Sequence, residues 1–297
     1  MKVIPITPRG FCPGVVRAIK IVENVLKDKM YPLPIYVLGM IVHNKYVVKD
    51  LQAKGVITLD DPNLSRLELL DGISSGTIIV TAHGASNEVF QKINNQGLTL
   101  VDATCEDVYK THTSIKKHLL LGYKVIFIGK NNHPETEAIM ALDTSISLVE
   151  TLNDVLNLPN FELPVFVANQ TTFSIRDIEI IIEQLRIKYP MLIAEDEICN
   201  STRVRQEAII EGNKNVDLCY VVGDSRSNNT RNLVKTSIDA TNTKTILIES
   251  VKDINPEDTA KILFAIAIGL LIQGLLKPKD TDWAGLAKKS LSMLLGS

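Results

Sequence analysis

Cys12, Cys105 and Cys199 stand 93 and 94 residues apart, and 98 more residues follow the last of them. That spacing divides the 297-residue chain into three nearly equal parts, each opened by a cysteine. Self-similarity at a fixed interval constrains a fold more than composition does, because each repeat must be one structural unit. The flanks repeat as well. A short apolar segment precedes each cysteine, Val3-Ile4-Pro5-Ile6, Leu98-Thr99-Leu100-Val101 and Met191-Leu192-Ile193-Ala194, and each reads as a buried strand. A helical periodicity follows each one. It is carried by Val15, Ala18, Ile19, Val22 and Leu26, then by Val108, Ile115 and Leu119, then by Val204, Ala208 and Ile209. All three cysteines therefore fall at strand-to-helix junctions.

A second strand in each part ends in glycine, and a polar cluster starts four residues on. Ile35–Gly39 leads to His43-Asn44, Val125–Gly129 to His133-Pro134-Glu135, and Cys219–Gly223 to Ser227-Asn228-Asn229. In the first two parts a third strand closes in His83-Gly84 and in Gln170-Thr171-Thr172. Strands alternating with helices imply parallel βαβ units, whose functional loops lie at the carboxyl ends of the strands. The expected fold is α/β, with three similar βαβ lobes around a pseudo-threefold axis. The lobes are expected at 14–103, 104–197, and 198–297 together with 1–13. Such packing brings the three thiols to one point beneath loops bearing His43, His83, His133, Glu135, Thr171, Ser227 and Asn229.

Composition narrows the partners. A chain that is 45% hydrophobic and 22% charged can bury a core, and a net charge of -2 supplies no basic field for nucleic acid or an anionic membrane. Four cysteines are too few for a disulfide-stapled scaffold, and no secretory pattern opens the chain, so a cytoplasmic protein with reduced thiols is expected. The apolar run Ile262–Leu276 is too short for a membrane span and reads as core.

Thiolates suit zinc and iron-sulfur clusters, and three protein ligands leave one position open for substrate. A helix start beside each thiol favours the thiolate. No CxxC pair occurs, so a structural zinc ribbon is not expected. Cys219 lies inside an apolar strand and reads as a small buried hydrophobe, while His112 and His118 read as packing or surface residues. In a cavity of this kind Glu135 becomes a candidate proton donor and the loop histidines candidate binding groups. Apart from Lys130 and Arg226 these loops carry no cation, so a bound anion is expected to rest mainly on neutral or histidine donors.

The segments Pro8–Val15, Ile41–Val48, Ala82-His83-Gly84, Asp102–Cys105, His133-Pro134-Glu135, Gln170-Thr171-Thr172 and Arg205–Ala208 closely resemble the IspH or LytB family of 4-hydroxy-3-methylbut-2-enyl diphosphate reductases. The resemblance implies one [4Fe-4S] cluster held by Cys12, Cys105 and Cys199. It also implies reductive removal of a hydroxyl group in the last step of the non-mevalonate isoprenoid pathway. By the same resemblance His43, His83, Ser227 and Asn229, with Asn228 among them, hold the diphosphate, and Glu135 is the proton donor. His133, Thr171 and Thr172 then stand beside the substrate hydroxyl. Electrons are expected from a ferredoxin or flavodoxin, since the chain carries no flavin or nicotinamide fingerprint.

Glu106 stands where the family pattern has proline, and from about residue 259 the motifs end. Near 264–272, where a hydroxyl-bearing loop is expected to grip the diphosphate, the chain reads Phe264–Ile272 with no hydroxyl. Either a frameshift or a genuine replacement of one cavity wall accounts for that, and both imply impaired diphosphate binding. A quinolinate synthase-like enzyme and a non-catalytic cluster sensor are the alternative readings.

Overall fold

The computed structural model describes residues 3–195, 198–250 and 253–254, and these divide into two compact units. One is Gly10–Val204; the other comprises the described parts of 1–9 and 205–297.

The first unit holds two four-stranded parallel sheets of the same design. In the first sheet β1 (Ile35–Leu38), β2 (Val56–Leu59), β3 (Thr77–Val80) and β4 (Thr99–Asp102) run in the order β2-β1-β3-β4. The second repeats that order as β6-β5-β7-β8, with β5 Lys124–Ile128, β6 Ser147–Val149, β7 Val165–Asn169 and β8 Ile193–Ala194. Helices cover both faces, which is why the central strands are apolar without alternation. On the first sheet Ile79 packs with Ala18, Val22 and Val25 of α1 (Pro13–Lys27), while Ile78 and Val80 face Val89 and Ile93 of α3 (Asn87–Asn95). On the second, Val165 and Val167 meet Ile178, Ile181 and Leu185 of α7 (Ile175–Lys188). Its other face, with Val125, Phe127 and Phe166, meets Ile115 of α4 (Glu106–Leu120) and Ile139 of α5 (Pro134–Met140).

The other unit contains a parallel pair, β9 (Leu218–Val222) beside β10 (Lys244–Ile248), with α9 (Asn228–Thr241) between them in sequence. Ile6, Ile209, Cys219, Val221, Leu233 and Val234 form its apolar cluster, so Cys219 is the buried strand residue expected of it. Two strand-end glycines make the same close approach. A Cβ on Gly129 would lie 2.8 Å from Thr136 Oγ1, and one on Gly223 would likewise collide with Thr230 Oγ1. In both cases the threonine is seven residues on, in the first turn of the next helix, so the repeat read from sequence is also a repeat of packing.

One expected strand finds no partner: residues 3–6 carry no ladder among the described residues, and Pro5 lacks the N–H donor that a ladder there would use. Ile6 acts instead as an apolar filler against Ile209 and Val221. The run Ile262–Leu276, the loop at 264–272 and the tail from 259 lie outside the described residues. Among the described residues no helix is long and apolar enough to cross a membrane.

Candidate active site

Two of the cysteines cap helices. Cys12 is the N-cap of α1, and its Sγ accepts from Val15 N–H at 3.4 Å, while Cys105 is the N-cap of α4. Cys199 immediately precedes α8 (Asn200–Gly212); its carbonyl accepts from Thr202 and Arg203, and its Sγ lies 3.1 Å from Thr202 Oγ1.

Backbone hydrogen bonds tie two of these junctions to the loops above the sheets. Cys105 N–H donates to the Ala82 carbonyl at 2.9 Å, and Cys199 N–H donates to the Thr171 carbonyl at 3.1 Å. Each loop follows the third strand of its own sheet, so one construction is used twice. Arg17 of α1 adds a further tie, donating from Nη1 to the Thr104 carbonyl at 2.9 Å.

The thiols of Cys12 and Cys105 meet over Gly14. A Cβ added to that residue would lie 2.8 Å from Cys105 Sγ and 3.8 Å from Cys12 Sγ. Cys12 is also felt electrostatically by Cys199, so all three thiols share one region. They do not meet at a point: among the described residues no three His, Cys, Asp or Glu side chains gather tightly enough to hold a single metal ion. Burial pushes the Cys105 and Cys199 thiols up, against the lowering effect of backbone N–H groups and, at Cys199, of the Thr202 hydroxyl. The expected helix-start stabilisation is present in the N–H contacts but is outweighed by desolvation.

The histidines expected in the loops come together. The His83 ring lies 5.8 Å from His43 and 5.1 Å from His133, the latter edge-on at 78°. Asn44 beside His43 caps α2 (Lys45–Ala53), accepting from Tyr46 and Val47 N–H. His133 caps α5 and accepts from Glu135 N–H at Nδ1, 3.2 Å away, which leaves the ring proton of the neutral form on Nε2. Burial is the main cause that pushes His83 down to about 3, with His43 and Arg66 adding to it. His133 is held well below the ordinary histidine range by burial first, then by His83, His43 and Arg66. Both rings are neutral at pH 7.

Glu135 is fully buried in the first turn of α5. Its Oε1 accepts from Thr171 N–H at 2.8 Å and its Oε2 from Thr171 Oγ1 at 2.9 Å. Gln170 holds the loop from beneath: Oε1 accepts from Lys130 N–H, and Nε2 donates to Thr172 Oγ1, both at 3.0 Å. Thr171 is thus a junction, with its N–H and hydroxyl on a carboxylate and its carbonyl on the N–H of Cys199.

Ser227, Asn228 and Asn229 belong to the other unit. Ser227 caps α9 and accepts from Thr230 N–H at 3.3 Å; Asn228 is buried, and Asn229 Oδ1 is buried with no partner among the described residues. His118 is a packing residue, stacked 3.6 Å from Phe166, as its helical position suggested.

The LytB protein family model matches residues 3–270. This chain belongs to the LytB family. The match runs past residue 259, where the recognisable motifs stop. A 4-hydroxy-3-methylbut-2-enyl diphosphate reductase from Geobacillus sp. (strain WCH70) is 47% identical over 256 residues, covering 86% of this chain and 81% of that one. The enzyme of the same name from Anoxybacillus flavithermus is 47% identical over 258 residues, with the same coverage. Among solved structures, the E-1-hydroxy-2-methyl-but-2-enyl-4-diphosphate reductase from Plasmodium falciparum matches with a TM-score of 0.77 and 34% identity, over 84% of this chain and 77% of that one. A second, described as (E)-4-hydroxy-3-methyl-but-2-enyl diphosphate reductase, the terminal enzyme of the non-mevalonate pathway, matches with a TM-score of 0.63 and 29% identity, over 86% and 88%. LytB membership favours the reductase over the quinolinate synthase-like and sensor readings.

Sequence reasoning missed one cation in this LytB site. Arg66, in the connection between β2 and β3, sends its guanidinium under the His83 loop. Nothing in its flanks marked it, since Asp61–Ser65 is an exposed stretch without apolar periodicity.

Proposed function

We propose that this chain is a 4-hydroxy-3-methylbut-2-enyl diphosphate reductase that acts in the cytoplasm and takes electrons from a ferredoxin or flavodoxin. The reaction consumes two electrons and two protons and releases the substrate hydroxyl as water. Cys12, Cys105 and Cys199 would hold one [4Fe-4S] cluster. The donor set fits it: three thiols share one region, thiolates are the ligands such a cluster takes, and Gly14 keeps Cβ bulk away from two of them. When bound, the cluster supplies electrons and an open Lewis-acidic iron.

The protein residues supply orientation and protons. His43 and His83 offer N–H groups to the diphosphate, joined in this reading by Ser227, Asn228 and Asn229. Glu135 Oε2 accepts from the Thr171 hydroxyl in this structure; once protonated, Glu135 would reverse that bond and donate to Thr171 Oγ1, which would pass a proton on to the leaving hydroxyl. His133 and Thr172 flank that path. We infer in addition that the three sheets belong to lobes at 14–103, 104–197, and 198–297 with 1–13.

The observation that carries this reading is the Thr171 junction, which fastens the proposed proton donor and the third cysteine to one residue. Anaerobically reconstituted protein supplied with reductant should convert the allylic diphosphate to isopentenyl and dimethylallyl diphosphates. A protein that holds the cluster and binds the diphosphate yet gives no product would favour the sensor reading.

A further inference from the structure

The loop that carries His83 is fastened from below by a single side chain. Arg66 Nη1 donates to the Gly84 carbonyl, and Nη2 donates to Thr81 Oγ1 at 3.2 Å, so the guanidinium grips the residues on both sides of Ala82-His83. Thr81 and Gly84 are both buried. Gly39, at the end of β1, borders the guanidinium from the other side: its φ is +86°, and a Cβ there would stand 3.4 Å from Nη2.

Neither hydrogen bond of this cation goes to a carboxylate. Glu137 and Asp60 act on it only at longer range, and burial pulls its pKa down to about 10, so it stays charged at neutral pH. A half-buried cation whose hydrogen bonds reach only neutral groups is costly to keep. An anion arriving above it offsets that cost. His83 and His133 are neutral, so beneath this loop the fixed positive charge comes from Arg66.

We propose that Arg66 is a positioning residue of the diphosphate site: it fixes the Thr81–Gly84 loop and places permanent positive charge beneath the histidines that receive the anion. The inference rests on the reading of His43 and His83 as diphosphate ligands. It adds the charge that sequence reasoning had not found in these loops.

Two substitutions separate charge from shape. Arg66→Gln keeps amide donors but removes the charge, and Arg66→Lys keeps the charge but loses the fork. Binding of inorganic diphosphate to the holoenzyme, measured by calorimetry, should weaken at least about tenfold in Arg66→Gln and less in Arg66→Lys. Steady-state kinetics should show the loss in KM, with kcat within about threefold of the parent. Thr81→Val removes the Nη2 acceptor at constant shape and carries the test if Arg66→Gln does not accumulate; it should weaken diphosphate binding about threefold or more with iron content unchanged. Parent-like diphosphate affinity in Arg66→Gln, or in Thr81→Val where that variant stands in, overturns the role of Arg66. A parent holoenzyme that binds no inorganic diphosphate overturns the diphosphate reading itself.

Discussion

Replacing Gly14 with alanine sets helix propensity against the cysteine pair. Gly14 is the second residue of α1, and alanine in a helix is favoured over glycine by up to about 1 kcal/mol, less near the end of a helix. Considered locally, the substitution stabilises the chain. The new Cβ, however, would lie 2.8 Å from Cys105 Sγ, 3.6 Å from Cys105 Cβ and 3.8 Å from Cys12 Sγ. Non-bonded heavy atoms rest at about 3.5 to 4.0 Å, so the Cys105 sulfur must move by roughly 1 Å. In the metal-free chain Cys105 is half-buried, and its side chain can turn away at small cost. With a cluster bound the sulfur is fixed, since metal-ligand distances tolerate only about 0.2 Å. The crowding cost, of the order of 1–3 kcal/mol for one extra methyl group, therefore falls on the cluster-bound state alone. Cluster retention should drop by about 5- to 150-fold at 1.36 kcal/mol per factor of ten, while the metal-free melting temperature stays the same or rises. Iron and sulfide content after anaerobic reconstitution and chelator challenge, alongside melts of the metal-free protein, measures both effects. Parent-like cluster retention in Gly14→Ala would refute the placement of Cys12 and Cys105 against this residue.

Glu135→Gln should keep cluster and diphosphate binding but lose turnover by about 10²- to 10⁴-fold, as removal of a general acid does; single-turnover rates at saturating substrate check it, and a loss of only a few-fold would leave water or the substrate phosphate as proton source. Cys12→Ser, Cys105→Ser and Cys199→Ser should each remove or destabilise the cluster, whereas Cys219→Ser should not, because Cys219 is buried within β9; iron analysis of the four variants decides. His83 and His133 are depressed bases, so in acid the unfolded chain binds protons that the folded one refuses. Their contribution to stability is complete above the unfolded value of 6.5 and is lost as pH falls towards the folded value, about 3 for His83. Each lowers stability by at most about 1.4 kcal/mol per pH unit below 6.5, so urea midpoints should fall between pH 7 and pH 5, less steeply in His83→Asn. An identical slope in that variant would count against the buried, neutral His83.

The sequence alone was enough to place all three cysteines at helix starts, because a strand-to-helix junction is a local pattern of apolar periodicity around a break. The same locality made β4, β5 and β7 readable, and it brought His43, His83 and His133 into one set through equivalent loop offsets. Other edge strands were less legible. β2, β6 and β10 went unread because they are short, partly exposed and, unlike the edge strands β4 and β8, have no cysteine junction after them. Residues 3–6 misled in the opposite sense, since apolar composition says nothing of where the N–H group missing at Pro5 would have been needed.

What tertiary structure decided is pairing across long separations and the balance between opposing local effects. Glu135 reaches Thr171 over 36 residues, and Arg66 reaches Gly84 over 18 and Thr81 over 15. No periodicity encodes those meetings, which follow from strand order and loop direction. The same holds for the cysteine thiols. A helix start argues for a stabilised thiolate, but the depth at which Cys105 and Cys199 come to lie raises their pKa instead, and depth is set by the whole packed unit rather than by any neighbour in sequence.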